Sequence, residues 1–272
     1  MSGPARPSVP PASMELERRA ARARLLAREA PMACEPLLFA AGLYAVQATA
    51  AGALDSAHGN RPLSGRLADD GERLDGGARA ILQYVAEAAP EPLAEAAAFR
   101  RDEPAATART RLRLYWSEDR SDDGDYLSRA VLRPYVETLR RWGVAPDRLH
   151  RKGRCPFCGG SPWIGLRRDG AEMEGARRFL VCALCGGEWG FPRVLCPACF
   201  EDAPARLPSY SADTHSAVRI ETCETCRRYV KSIDLSEDAR PIPEVDDLVT
   251  LSMDLWAAKN GFTRIEPGLA GL

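Results

Sequence analysis

The chain has 272 residues, 45% of them hydrophobic and 28% charged, and its 37 basic side chains against 38 acidic ones leave a formal net charge of −1. This is the balance of a globular protein rather than of a disordered or membrane-embedded chain, and it provides no global field to recruit nucleic acid or an anionic lipid surface. The length accommodates one large or two modest domains.

Residues 1–13 are rich in Pro and Ala and lack both an apolar h-region and a small-residue cleavage site. They predict a disordered arm and not a signal peptide. The Arg18-Arg19 pair runs on into Ala20, Ala21, Arg22, Ala23 and Arg24, a basic helical stretch unlike a twin-arginine leader. From Ser13 to Trp142 the sequence is dense in Ala, Leu, Arg and Glu, with breaks at Pro31, Pro36, the Gly/Asp-rich stretch 55–77, Pro90, Pro104 and Asp122-Asp123-Gly124. The pattern predicts five to six helices in a domain spanning 14–145, with Ser13 as the first N-cap and Leu16, Leu25 and Leu26 as apolar anchors. Leu112, Tyr115 and Trp116, and again Leu132, Tyr135 and Val136, fall at i, i+3, i+4 and predict a helical layer packed on itself. Cys34, among Ala, Leu and Pro, reads as a buried thiol. The longest apolar run falls short of the roughly 18 to 20 residues that cross a bilayer, so no membrane insertion is expected.

From Gly143 the texture changes: Cys, Gly, Pro and β-branched or aromatic residues replace the Ala-rich pattern until about Ile233. A second unit, 146–235, is expected there, short of aliphatic residues and stabilised by metal in their place. Beyond Pro241 and Pro243, helical spacing returns over 244–260, with Val245, Leu248, Val249, Leu255 and Trp256 on one face. Glu244, Asp246 and Asp247 stand in its first turn and Asn260-Gly261 at its C-cap. This helix and its tail form a third segment, 236–272.

The informative motif is four C-x-x-C pairs: Cys155/Cys158, Cys182/Cys185, Cys196/Cys199 and Cys223/Cys226. The second pair follows the first by 27 positions, the fourth follows the third by 27, and the two sets are displaced by 41. One unit is therefore written twice, over about 151–191 and 192–235, with Pro156 matching Pro197 and Arg178 matching Arg219. Two residues between cysteines let both thiolates face one tetrahedral centre, and two such knuckles close a Cys₄ site. With no secretory signal in view, metal ligation is preferred over disulfides. Each unit is expected to hold one metal in a rubredoxin-like or zinc-ribbon arrangement, with ligands paired within the repeat. The predicted fold class is thus α plus small β: a helical domain, a duplicated Cys₄ module and a C-terminal helix.

Between Arg151 and Ile233 there are 13 Lys/Arg against 9 Asp/Glu. Arg154, Arg177, Arg178, Arg219, Arg227, Arg228 and Lys231 flank the knuckles and read as compensation for the charge of two tetrathiolate centres. His58, His150 and His215 share no metal-binding spacing, and there is no Walker A loop, G-x-G-x-x-G or H-E-x-x-H. No catalytic residues are assigned, and the chain does not read as an enzyme.

These stretches resemble the formate dehydrogenase accessory proteins (FdhE): CPFCGGSP (155–162), RRFLVCALCGGEW (177–189), RVLCPACF (193–200), RIETCETCRRYVKSID (219–234) and VDDLVTLSMDLWAAKNGF (245–262). The resemblance runs from about Gly143 to Phe262. It implies a cytoplasmic maturation factor that binds the catalytic subunit of a molybdenum- or tungsten-dependent respiratory formate dehydrogenase before export. It further implies iron, with zinc as the alternative, at the eight cysteines in rubredoxin-like sites. A homo-oligomer is as compatible with the sequence as a monomer. Two other readings compete: a zinc-ribbon protein binding nucleic acid, disfavoured because aromatics are not interleaved with the basic residues, and a rubredoxin-like electron carrier. The second unit departs from the tidiest knuckle, since Phe200 and Arg227 stand where the first has Gly159 and Gly186. Strain or looser closure is expected at that site.

Overall fold

The computed structural model describes residues 10–58, 61–117, 125–168, 177–236 and 238–271. The expected disordered arm, up to residue 9, and the Asp122-Asp123-Gly124 break lie outside them. The described residues of the first half form seven α-helices instead of five or six: α1 (Ala12–Glu29), α2 (Cys34–His58), α3 (Leu67–Asp70), α4 (Asp75–Ala88), α5 (Leu93–Arg101), α6 (Ala105–Ser117) and α7 (Tyr126–Trp142). The extra one is the single turn α3. Ser13 does not cap α1, whose N-cap is Pro11 without a side-chain bond. Pro36 does not break the chain either, because it sits in the first turn of α2, where a missing N–H costs nothing.

Helix α2 corrects the expectation about apolar runs. Pro31–Ala57 has a mean hydropathy of 1.6 and is long and apolar enough, by length and composition alone, to cross a membrane. In the fold 56% of that window is buried in protein. It lies against α1, α4 and α7, with Leu37, Leu43 and Tyr44 in the core and the Gln47 amide donating to the Ala130 carbonyl at 2.7 Å. Cys34 is half-buried at its start. Helix α7 runs through the centre, buried from Leu127 to Leu139, and both ends are specified locally. Asp125 accepts from the Ser128 N–H at 3.0 Å, and Gly143 closes the helix at φ +66°.

The described residues of the second half form a mixed sheet of seven strands: β1 (Pro162–Arg168), β2 (Arg177–Cys182), β3 (Glu188–Gly190), β4 (Ser209–Ser211), β5 (Val218–Thr222), β6 (Arg228–Asp234) and β7 (Thr263–Arg264). The strand order is β3-β2-β1-β6-β5-β4, with β7 beside β6. Two antiparallel meanders, β1–β3 and β4–β6, meet through the parallel pair β1·β6. The duplication extends to register. Phe179 pairs with Gly190 and Val181 with Glu188 in the first meander, and Ile220 with Lys231 and Thr222 with Tyr229, each displaced by 41, in the second.

The C-terminal helix is broken into α8 (Pro243–Asp246), a 3₁₀ turn over Asp247–Thr250, and α9 (Leu251–Lys259). Val245 and Leu248 are buried as expected, but Leu255 is 58% and Trp256 38% exposed. Trp256 lies against Tyr210 of β4 with ring centroids 4.7 Å apart. Glu244 and Asp247 are not solvent-facing partners of a helix dipole but buried ions. Glu244 pairs with Arg19 at 2.9 Å and with Arg133, Arg19 and Arg133 both hold Glu137 at 2.7 Å, and Asp247 pairs with Lys231 at 3.1 Å and Arg264 at 2.8 Å. These two networks tie the C-terminal segment to α1 and α7 on one side and to β6 and β7 on the other. The apolar core is continuous across the molecule, joining Leu16, Tyr44 and Tyr135 of the helices to Trp163, Ile164 and Cys182 of the sheet.

Candidate metal centre

Each knuckle is a tight backbone turn. The Cys155 N–H donates to the Gly160 carbonyl and the Gly159 N–H to the Cys155 carbonyl. The same pair of bonds recurs 41 residues on, from Cys196 to Glu201 and from Phe200 to Cys196. Cys182/Gly187 with Gly186/Cys182, and Cys223/Arg228 with Arg227/Cys223, repeat it at the second knuckles. The turn needs a left-handed residue just after its second cysteine. Gly159 and Gly186 supply it at φ +69° and +63°, whereas Phe200 and Arg227 adopt +65° and +56°. Non-glycine residues there cost roughly 1 to 2 kcal/mol each, so the second unit carries the expected backbone strain.

The turns and meanders bring the eight thiols into two clusters, Cys155/Cys158/Cys182/Cys185 and Cys196/Cys199/Cys223/Cys226, with all four sulfurs of each within 4.8 Å of one another. In the first, Cys155 Sγ lies 3.6 Å from Cys185 Sγ and Cys158 Sγ 3.5 Å from Cys182 Sγ. In the second, the pairs Cys196/Cys226 and Cys199/Cys223 stand at 3.7 and 3.6 Å. A tetrahedral ion with metal–sulfur bonds of about 2.3 Å requires sulfurs about 3.8 Å apart, so both clusters fit such an ion. The thiols of each cluster come from one repeat, as the spacing predicts.

The electrostatics point the same way. Hydrogen bonds from Cys158, Cys182 and Cys185 hold the Cys155 thiol far below its ordinary range, while hydrogen bonding to Cys155 pushes Cys158 up and burial pushes Cys182 up. Burial raises Cys196 to about 11. Four thiolates cannot coexist in such a space without a cation. Backbone N–H groups also reach the sulfurs: Leu184 and Cys185 donate to Cys182 at 3.4 and 3.5 Å, and Gly187 to Cys185 at 3.4 Å.

The basic residues expected to compensate the clusters are mostly engaged elsewhere. Lys231 is fully buried among Asp247, Asp254 and the Thr250 carbonyl. Arg178 pairs with Glu221 at 2.7 Å, Arg154 with the Ser161 hydroxyl, and Arg227 with Glu224 while lying over the Phe262 ring. One guanidinium near the first cluster was not singled out in the sequence: Arg140 of α7 borders Gly187, as does Cys185. Among the histidines, His150 is exposed and bonded to the Phe157 carbonyl, and His215 lies in a short 3₁₀ turn.

The two centres differ in setting. All four cysteines of the first are buried, whereas in the second Cys199 is exposed and Cys226 half-buried. Gly186 faces Arg19, Glu244 and Arg133, so the first centre sits on the buried ionic network that joins the module to the helices.

A profile described as "FdhE, central domain" matches residues 154–193 and one described as "FdhE, C-terminal domain" matches 194–269. Residues 154–269 are thus similar to the central and C-terminal domains of FdhE. Curated FdhE homologues agree: that of Aquifex aeolicus is 34% identical over 120 residues, 44% of this chain and 42% of the relative, and that of Pseudomonas aeruginosa 35% over 119 residues, 42% and 38%. The matched stretch thus spans about two fifths of those relatives. The crystal structure of the FdhE protein from Pseudomonas aeruginosa superposes over 96% of both chains with a TM-score of 0.61 at 24% identity. The fold of that FdhE protein is therefore shared along the helical half as well.

Proposed function

We propose that this FdhE-type chain is a cytoplasmic accessory factor that binds the catalytic subunit of a respiratory formate dehydrogenase and is required for its activity, without turnover of its own. The supporting observation is the pair of four-thiol clusters in the residues similar to the FdhE central and C-terminal domains. In this reading Cys155, Cys158, Cys182 and Cys185 hold one metal ion and Cys196, Cys199, Cys223 and Cys226 the other, iron in preference to zinc. The ion supplies a cross-link between knuckles, and the protein supplies the turns, the N–H donors and the buried wall that hold four thiolates together. The working units are the helical domain 14–145, the tandem module 146–235 and the C-terminal segment 236–272.

The test is metal analysis with an absorption spectrum on anaerobically purified protein, alongside capture of the catalytic subunit and formate-dependent respiration in a deletion strain. About two ions per chain, direct capture and loss of respiration with the catalytic polypeptide still synthesised are expected. Full respiration in the deletion strain with no subunit captured would overturn the accessory role, and a stoichiometry near one or four would overturn the two-site assignment. Exposure of Cys199 favours a second reading, a rubredoxin-like electron carrier, whose mark is a visible chromophore that bleaches and returns on reduction and reoxidation.

A further inference from the structure

A cleft of about 230 Å³ opens beside the second thiol cluster, on the face of the sheet lined by Arg167, Arg178, Arg193, Arg219 and Arg228, with Glu221 as the one carboxylate among its described lining residues. We propose that this cleft binds a small free oxyanion of the phosphate, sulfate or carboxylate class. The proposal is independent of the accessory role.

The sheet topology concentrates the charge. Arg167 of β1 and Arg178 of β2 are direct cross-strand partners and both line the cleft. Like charges placed opposite each other on one face of a sheet are destabilising unless something of opposite sign lies between or over them. The nearby carboxylates answer only part of this. Glu221 pairs with Arg178 at 2.7 Å, and Asp234 stands 3.7 Å from Arg167. Arg178 and Arg219 occupy matched positions, the second residue of β2 and of β5, so the duplication itself aims one arginine of each repeat at the same space. Arg193 enters from the link between the two units.

Arg178 provides a second observation. Its side chain is 5% exposed, and it donates through Nη1 to the carbonyls of Pro192 and Leu195 at 3.0 Å. Its Nε–H is buried with no partner among the described residues. An unsatisfied buried N–H costs roughly what a lost hydrogen bond does, and an oxyanion oxygen would satisfy it while accepting from the planar fork of a neighbouring guanidinium.

The volume suits a small anion, being below the roughly 300 Å³ at which pockets for drug-sized ligands begin.

The test is calorimetric titration of the metal-loaded full chain with inorganic phosphate against chloride at matched ionic strength. Saturable binding of phosphate is expected, weakened about tenfold or more in Arg219→Gln and in Arg193→Gln. Both residues are exposed, so neither substitution disturbs the core as Arg178→Gln could. Arg240→Gln, at an exposed ion pair with Asp238, should bind as wild type. No saturable phosphate binding beyond chloride, or undiminished binding in both cleft variants, overturns the proposal. So does a result in which the cleft variants lose metal from the second centre while phosphate binding is unchanged, since the arginines would then serve the cluster alone.

Discussion

The two repeats perform one backbone manoeuvre with different residues, and this difference is measurable. Alanine at Gly159 must hold φ near +69°, and its Cβ would collide with the Leu149 carbonyl. The conformational part alone costs about 1 to 2 kcal/mol. Gly159→Ala is therefore expected to lower the unfolding free energy of metal-loaded protein, read from urea denaturation, by at least that much. At the matched position, Phe200→Gly relieves the same strain but removes the ring that Lys152 covers at 4.5 Å, a contact worth roughly 0.5 to 1 kcal/mol. Near-neutral stability, within about 1 kcal/mol, is expected. Equal losses in both variants would mean that the knuckles do not differ as drawn. Lys231 supports a third test. Its ammonium is fully buried against Asp247 and Asp254, and Lys231→Met leaves Asp247 to Arg264 and Asp254 to Arg264 and the Tyr229 hydroxyl. Breaking a buried pair from one side costs about 3 to 5 kcal/mol, so denaturant unfolding should show a loss of that order, and a loss under 1 kcal/mol would refute the network.

At the scale of elements, the C-terminal segment is a strap held by buried ion pairs as well as by buried apolar side chains such as Val245, Leu248 and Phe262. Glu244 and Asp247 are buried, and although burial alone would raise them, Arg133 and Arg19 hold Glu244 below its ordinary 4.5, while Arg264 and Lys231 hold Asp247 below its ordinary 3.8. Because the folded-state values are depressed, their contribution to stability is present above pH 4.5 and is lost as the pH falls through the folded values. Acid should therefore loosen 243–264 before it melts the interior of α2. Hydrogen exchange as a function of pH checks the order, and simultaneous loss of protection in both segments would contradict it. These ions also explain why the expected amphipathic helix over 244–260 is not continuous. Asp247 and Thr250 turn their carbonyls to Lys231 at 2.9 and 3.3 Å, which a regular α-helix with satisfied carbonyls would not offer.

Across the whole molecule, the first thiol cluster is walled in by α1, α7 and α8 through Arg19, Arg133, Arg140 and Glu244, and the second faces solvent at Cys199. If both hold metal, a chromogenic chelator should remove one equivalent quickly and the other only on the timescale of unfolding. Cys199→Ser should abolish the fast phase and Cys158→Ser the slow one, and a single phase carrying two equivalents would show that the centres are equally accessible. Because the core is continuous from Leu16 to Cys182, loss of the buried ion should also lower the thermal midpoint of the helices, while loss of the exposed ion should disturb mainly 192–235. Much of this protein was legible in its sequence: the two four-cysteine groups, the duplication, the helical first half and the family resemblance all depend on local spacing, and spacing is what a linear chain records. Phe200 and Arg227 likewise betrayed their strain, because a turn's left-handed position is a local demand. Other features depended on which distant segments meet. Leu255 and Trp256 have helical spacing whether or not a partner covers them, and Glu244 and Asp247 look like surface acids until Arg19, Arg133 and Arg264 arrive from elsewhere in the chain. Which thiol cluster is buried, and which arginines converge on one cleft, were decided only by the tertiary structure, because burial and summed charge are properties of the surroundings that folding assembles and no single segment contains.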